Sequence, residues 1–126
     1  MTDVDLDEVV RVLREQGAVF AYLFGSRVDD TARPDSDWDV GAFFGRADVV
    51  PWKVDVPDRV DLVVLDDAPL HIAGRVAMYG RLLFEDDPAA RVEWEATTRK
   101  IWLDERPRVE QATRDFVASF GRRGRR

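Results

Sequence analysis

The amino-acid sequence predicts an α/β (α+β) layered fold: a small mixed sheet of about four strands flanked by helices, with C-terminal helices beyond. Three observations predict it. Four apolar runs of strand length, at 18–24, 37–44, 60–65 and 81–85, are set apart by polar or proline-containing stretches. Around them, apolar residues recur at helical spacing, at 6–13, 70–77 and again beyond 88. A length of 126 residues leaves room for one core, and an apolar content of 45% suits a packed one.

Taken in order, Leu6, Val9, Val10 and Leu13 fall at i, i+3, i+4 and i+7, the stripe of an amphipathic helix. Asp3 or Asp5 caps its start, and Gly17 stops it. The continuous apolar run from Ala18 to Phe24 reads as a strand cut off by Gly25-Ser26, and the polar stretch from Arg27 to Ser36, with Pro34, reads as a loop. Asp37 to Phe44 is a second strand. Between Gly45 and Arg59, Pro51 and Pro57 exclude a regular helix, and the alternation of Trp52, Val54 and Val56 predicts a short extended piece. Val60 to Leu65 is a third strand. Asp66 or Asp67 then caps a helix running to about Tyr79, with Leu70, Ala73, Val76 and Ala77 on one face and Gly80 as its end. Arg81 to Glu85 is a fourth strand. Pro88 opens a long helical segment that Pro107 interrupts, and Val109, Ala112, Phe116 and Phe120 form a second stripe after it. The expected organisation is a single domain over 1–126, with a core at about 5–87, a C-terminal helical region at 88–121 and a basic tail at 122–126.

Composition narrows the chemistry. With no cysteine and one histidine, His71, there is neither a thiolate site nor a multi-histidine cage, so a bound metal would be held by oxygen. That favours magnesium, manganese or calcium. Residues 1–87 carry 9 Lys/Arg against 19 Asp/Glu, a net of −10; residues 88–126 carry 10 against 6, a net of +4. An acidic body disfavours nucleic acid as a direct partner, because phosphate contacts dominate such binding. The basic end, Arg122-Arg123-Gly124-Arg125-Arg126, reads as a solvated terminus or as a contact for an acidic partner. No apolar run approaches the roughly 18 residues of a membrane span, and the acidic N-terminus lacks a signal-peptide pattern, so a cytoplasmic protein is expected.

One pattern carries specific chemistry. Gly25-Ser26 is followed, after ten residues, by Asp37-Trp38-Asp39. Asp-x-Asp alone recurs at 3/5, 5/7 and 35/37, but from this composition the full pattern arises by chance in roughly a few chains per thousand. Glycine at a strand end lets the backbone turn and approach a ligand, and the adjacent N–H groups with the Ser26 hydroxyl suit phosphate oxygens. Asp37 and Asp39, two apart at a strand start, share one face with Cα atoms about 6.6 Å apart, close enough to converge on a metal pair. Trp38 faces the opposite way, toward the core. A third carboxylate is sought on the neighbouring strand. Asp61 is the candidate, since an acid inside Val60–Leu65 is costly unless it meets a metal or a cation; an arginine partner is the alternative. Asp55, Asp58, Asp66 and Asp67 stand in loop or cap contexts. Arg27, following the turn, is a candidate triphosphate contact or a surface arginine, and Ser36 completes the candidate nucleotide-binding set.

On these residues the sequence resembles the minimal nucleotidyltransferases (MNT domain, MntA-like antitoxins) of the DNA polymerase beta superfamily. The likeness spans about residues 5–105 and rests on Gly25-Ser26, Ser36-Asp37-x-Asp39 and Val60-Asp61-Leu62-Val63, then Leu82-Leu83-Phe84-Glu85. One stretch departs from the family pattern: 45–59 contains prolines where members carry a more regular helix. The resemblance implies a nucleotidyltransferase fold, with Asp37 and Asp39 binding two Mg2+ ions (or Mn2+). It implies that Asp61 binds the metal beside the acceptor hydroxyl and helps deprotonate it, and that Gly25 and Ser26 hold the triphosphate of ATP. It implies an antitoxin that transfers AMP to a tyrosine of a HEPN ribonuclease toxin. That toxin is a separate partner, since this chain lacks the toxin's Arg-x4-His-x-Tyr motif. A binding antitoxin that masks its toxin without chemistry, and a small-molecule (antibiotic) nucleotidyltransferase, are the alternatives.

Overall fold

The computed structural model describes residues 4–28, 32–33 and 36–105. Helix α1 spans Leu6–Glu15, and the Asp5 carboxylate caps it by accepting the Asp7 N–H at 3.0 Å. Val9 and Leu13 of the expected stripe are fully buried, joined by Val12, while Leu6 and Val10 are half-buried. The helix ends where Gly17 takes the left-handed conformation, φ 93°, which costs glycine no steric strain.

Strands β1 (Phe20–Phe24), β2 (Trp38–Phe43), β3 (Val60–Val64) and β4 (Arg81–Glu85) form one sheet in the order β3-β2-β1-β4. The central strand β1 is antiparallel to both β2 and β4, and β2 is parallel to β3, so the sheet is mixed. Each strand lies within two residues of the run that predicts it. Helix α2 spans Leu70–Tyr79, between β3 and β4, and a third helix, α3, runs from 88 through 105. The expected break at Pro107, the stripe at Val109, Ala112, Phe116 and Phe120, and the basic tail lie outside the described residues. No helix among the described residues is long and apolar enough to cross a membrane.

Alternation along β1 divides the core between the two faces of the sheet. Ala21 and Leu23 point to the face where Val9, Val12 and Leu13 of α1 meet Val40, Ala42, Leu62 and Val64. Phe20 and Tyr22 point to the other, against Val76 of α2 and Ala90 and Trp94 of α3. There Phe20 stacks on Phe43, with ring centroids 4.9 Å apart, and lies 5.7 Å from Trp94. The described part of the C-terminal helical region, α3, therefore packs on this face of the sheet. Its seat is also polar. The Tyr22 hydroxyl donates to Glu95 at 2.5 Å, Arg91 bridges Glu85 and Glu95, and Arg99 pairs with Glu95 and donates to the Ala77 carbonyl. Burial first, and then the Glu95 carboxylate, push the Tyr22 hydroxyl pKa up. Trp102 lies so close over Gly74 of α2 that a Cβ there would overlap its ring.

Two local expectations are corrected. The segment holding Trp52 is not extended: Pro51–Lys53 is a 3-10 turn, because Pro51 at its first position presets the helical φ. Trp52 is 84% exposed there, while Val54 is buried against the core. Neither Asp66 nor Asp67 caps α2. Pro69 occupies the cap position, without a side-chain bond, and the Asp66 carboxylate instead accepts the N–H groups of Phe44 (2.9 Å) and Gly45 (2.7 Å). Those two bonds tie the end of β2 to the residue leaving β3, across the start of the long connection between the strands. Asp66→Ala is therefore expected to lower stability by about 1–3 kcal/mol in denaturant titration, through the two N–H groups left unpaired.

Candidate active site

Three strand ends meet at one rim of the sheet. Because β1 runs antiparallel to β2, its C-terminal end lies beside the N-terminal ends of β2 and β3. The register places Phe24 opposite Asp39, and Asp39 opposite Asp61. Residues 24, 39 and 61 thus sit side by side across three strands, with neighbouring strands about 4.8 Å apart. Asp37 is exposed just before β2, Asp39 is half-buried within it, and Asp61 is exposed on β3. The reason for Asp61 given by the sequence is corrected here. β3 is an edge strand with an accessible face, so this acid is not buried in need of a cation.

Gly25 follows Phe24 with φ 77° and opens the 3-10 turn Gly25–Arg27, in which Ser26 is the middle residue. A Cβ on Gly25 would overlap Asp39 Oδ2. The turn and the carboxylate are thus in contact only because residue 25 has no side chain, and glycine is required twice over, for its φ and for the space.

The Asp39 carboxyl pKa is raised, by burial first, then by the charges of Asp61 and Asp37; Arg75 opposes the shift. Three acids share one electrostatic neighbourhood. Their hard oxygens are the donors that magnesium or manganese takes, and a cation would relieve the repulsion that raises Asp39. Among the described residues, however, no three His, Cys, Asp or Glu side chains are already gathered into a metal-holding group. Asp39 and Asp61 are register neighbours, and the charge of Asp37 reaches Asp39.

Arg27 and Ser36 are placed behind this rim. Arg27 Nη2 donates to the Ser36 carbonyl at 2.7 Å, and its guanidinium lies 4.5 Å from the Trp38 ring centroid. Arg59 Nη2 donates to the same carbonyl at 2.8 Å, and the Ser36 hydroxyl accepts the Arg33 N–H. Two arginines converging on one carbonyl fix the residue that immediately precedes Asp37. In this structure Arg27 and Ser36 hold the loop beside the carboxylates. Trp38 packs toward the α1 face of the sheet, opposite in sense to Asp37 and Asp39.

The sequence reading missed two residues at this rim. A cavity of about 280 Å³ is lined by Phe24, Gly25, Val28, Arg75 and Tyr79. Arg75 and Tyr79, four apart on α2, stand on one face of that helix, and this spacing was the available signal. Without knowing that α2 packs on the carboxylate side of the sheet, they read as surface residues.

A family model described as polymerase beta, nucleotidyltransferase matches residues 7–89. Among solved structures, a crystal structure of a toxin–antitoxin with AMP-PNP is similar over 87% of this chain and 99% of that chain, with TM-score 0.64 and 20% identity. A rebuilt structure of tri-AMPylated Shewanella oneidensis HEPN toxin in complex with MNT antitoxin is similar over 86% of this chain and 95% of that chain, with TM-score 0.56 and 19% identity. The toxin–antitoxin MntA–HepT is similar over 86% and 96%, with TM-score 0.57 and 19% identity. No curated protein matches the sequence. These likenesses establish a shared fold.

Proposed function

The chain belongs to the polymerase beta nucleotidyltransferase family, and from that membership we propose that it is an antitoxin transferring AMP from ATP to a tyrosine of a partner HEPN ribonuclease toxin. The observation that carries the reading is the contact of Gly25 with Asp39 and the register of Asp39 with Asp61, which bring a phosphate-type turn and two carboxylates to one rim. The partner is supported by the solved complexes of the same fold, one with AMP-PNP and one with a tri-AMPylated HEPN toxin. Use of ATP as the donor fits a cytoplasmic protein.

In this reading Gly25 and Ser26 hold the triphosphate through backbone N–H groups and the Ser26 hydroxyl. Asp37, Asp39 and Asp61 would hold two Mg2+ ions, which, when bound, neutralise charge on the attacking and leaving oxygens. The acceptor tyrosine loses its proton to Asp61, its oxygen forms a bond to the α-phosphorus, and the bond to the β-phosphate oxygen breaks to release pyrophosphate. Arg27, Arg59 and the Ser36 carbonyl keep Asp37 and Asp39 in place. Positioning and electrostatics supply most of the rate in such transfers, so a small scaffold suffices.

A masking antitoxin without chemistry is the second reading, and the exposed Val92, Ile101 and Leu103 on α3 offer the apolar surface it requires. Mass spectrometry of the co-expressed toxin separates the two. The expected result is one or more mass increments of an AMP residue on a toxin tyrosine, lost when ATP is replaced in the purified reaction by α,β-methylene-ATP, whose α–β bridge cannot be cleaved. A toxin that is silenced yet unmodified would establish masking instead.

A further inference from the structure

Across the rim, β1 contributes Phe24 and Gly25 on one side of Asp39, and β3 contributes Asp61 on the other. Among the described residues, the cavity of about 280 Å³ is lined from the β1 side, beside Gly25, and by α2. We propose that this cavity takes the nucleoside half of the nucleotide, with the Tyr79 ring stacking on the base and Arg75 meeting the phosphates held at Gly25. The assignment rests on the reading of Gly25 and Ser26 as a triphosphate turn, and it adds two residues and a direction to it.

Four properties of the cavity carry the assignment. Among the described residues its walls are the apolar side chains of Phe24, Val28 and Tyr79 with one cation, Arg75, which matches a flat base attached to an anion. Its volume is just below the usual range of roughly 300–1,000 Å³ for small-molecule sites, so it admits part of a nucleotide and leaves the triphosphate outside on the turn. Tyr79 is 64% exposed, and an aromatic ring left in water beside a pocket is available for stacking. Arg75 is exposed, within electrostatic reach of Asp39, and makes no hydrogen bond or ion pair with the described residues. Helical spacing of four residues puts Arg75 and Tyr79 one turn apart on the same face, so phosphate and base contacts fall in the order a nucleotide presents them. This leaves the Asp61 side of the rim open for the acceptor hydroxyl.

Isothermal titration calorimetry on the full chain, in magnesium, with ATP and with inorganic tripolyphosphate as separate probes, tests the assignment. Tyr79→Ala is expected to weaken ATP binding by roughly fivefold or more, the effect of losing an aromatic–base stack, and to leave tripolyphosphate binding unchanged. Tyr79→Phe keeps the ring and binds ATP as the wild type does. Arg75→Gln weakens both probes. Both side chains are solvent-facing, so melting temperatures of the three variants should stay at the wild-type value and exclude misfolding as the cause. Wild-type ATP affinity in Tyr79→Ala, or an equal loss for both probes, overturns the nucleoside assignment while leaving the triphosphate turn intact. A wild-type chain that binds neither probe overturns both.

Discussion

Replacing Asp37 and Asp39 together with asparagine is expected to abolish the proposed AMP transfer to a toxin and to leave the far-UV circular dichroism spectrum unchanged. The two side chains keep their shape and lose only their charge, so packing at Gly25 is preserved. Preorganised charge at the reacting phosphate is the largest single contribution to such catalysis, and removal of one stabilising group commonly costs 10²–10³ in rate, to order of magnitude. Loss of two carboxylates should therefore take transfer below detection. Retained transfer in the double variant, followed by mass spectrometry of the toxin, would sink the mechanism.

The same substitution at Asp39 alone has a stability consequence of known sign. The Asp39 carboxyl pKa is raised in the folded chain, by burial and then by Asp61 and Asp37. Its ionised form is thus disfavoured by folding. Below the ordinary carboxylate pKa of about 3.9 the group is protonated in both states and costs nothing. As pH rises from there through the raised folded value, the unfolded chain ionises first and the folded chain loses stability. Asp39→Asn escapes this loss. In chelator, its melting temperature is expected to equal that of the wild type at strongly acidic pH and to exceed it increasingly toward neutrality, levelling off above the folded pKa. A neutral-pH melting temperature at or below the wild-type value would show that the carboxylate is not under strain.

The largest stability loss is expected from Phe20→Ala. Phe20 is fully buried, stacks on Phe43, meets Tyr22 edge-on at 5.9 Å and touches Trp94 of α3, so one ring joins two strands and a helix. Truncating such a residue costs about 3–5 kcal/mol. Against the roughly 5–15 kcal/mol that holds a domain folded, this is a third or more of the total. Trp52→Ala is the contrasting control, since a side chain 84% exposed on a surface turn should change stability by less than about 0.5 kcal/mol. Denaturant midpoints for the two variants that fail to separate would mean that the α3 face of the sheet is not the packed core described above.

The strands were legible because each apolar run is bounded by a strong stop: Gly25 ends one, and Gly80 separates α2 from β4. Gly17 was read correctly as a helix stop, and of the two caps offered, Asp3 or Asp5, Asp5 takes the role, for reasons that act within a few residues. Errors came where a local rule competed with a distant partner. Asp66 has the composition of a cap, yet its carboxylate is drawn to the N–H groups of Phe44 and Gly45, more than twenty residues away in the chain. The Trp52 alternation imitates a strand, but Pro51 sets the backbone first. Spacing alone put Asp37 and Asp39 together. The nearness of Asp61 depends on the parallel register of β2 with β3, and that of Arg75 on the face chosen by α2, neither of which a one-dimensional pattern contains.

The register of β3 beside β2 also sets when the site comes into being. Gly25 and Asp39 meet on an antiparallel pair and are fourteen residues apart in the chain, against twenty-two between Asp39 and Asp61. Asp61 joins them only after the crossover from 44 to 59 has closed and a parallel pairing has formed, the kind of long-range contact that folding makes slowly. A chain emerging during synthesis would hold the glycine turn and two acids before the third arrives. Under the proposed function, chemical competence is thereby tied to completion of the sheet.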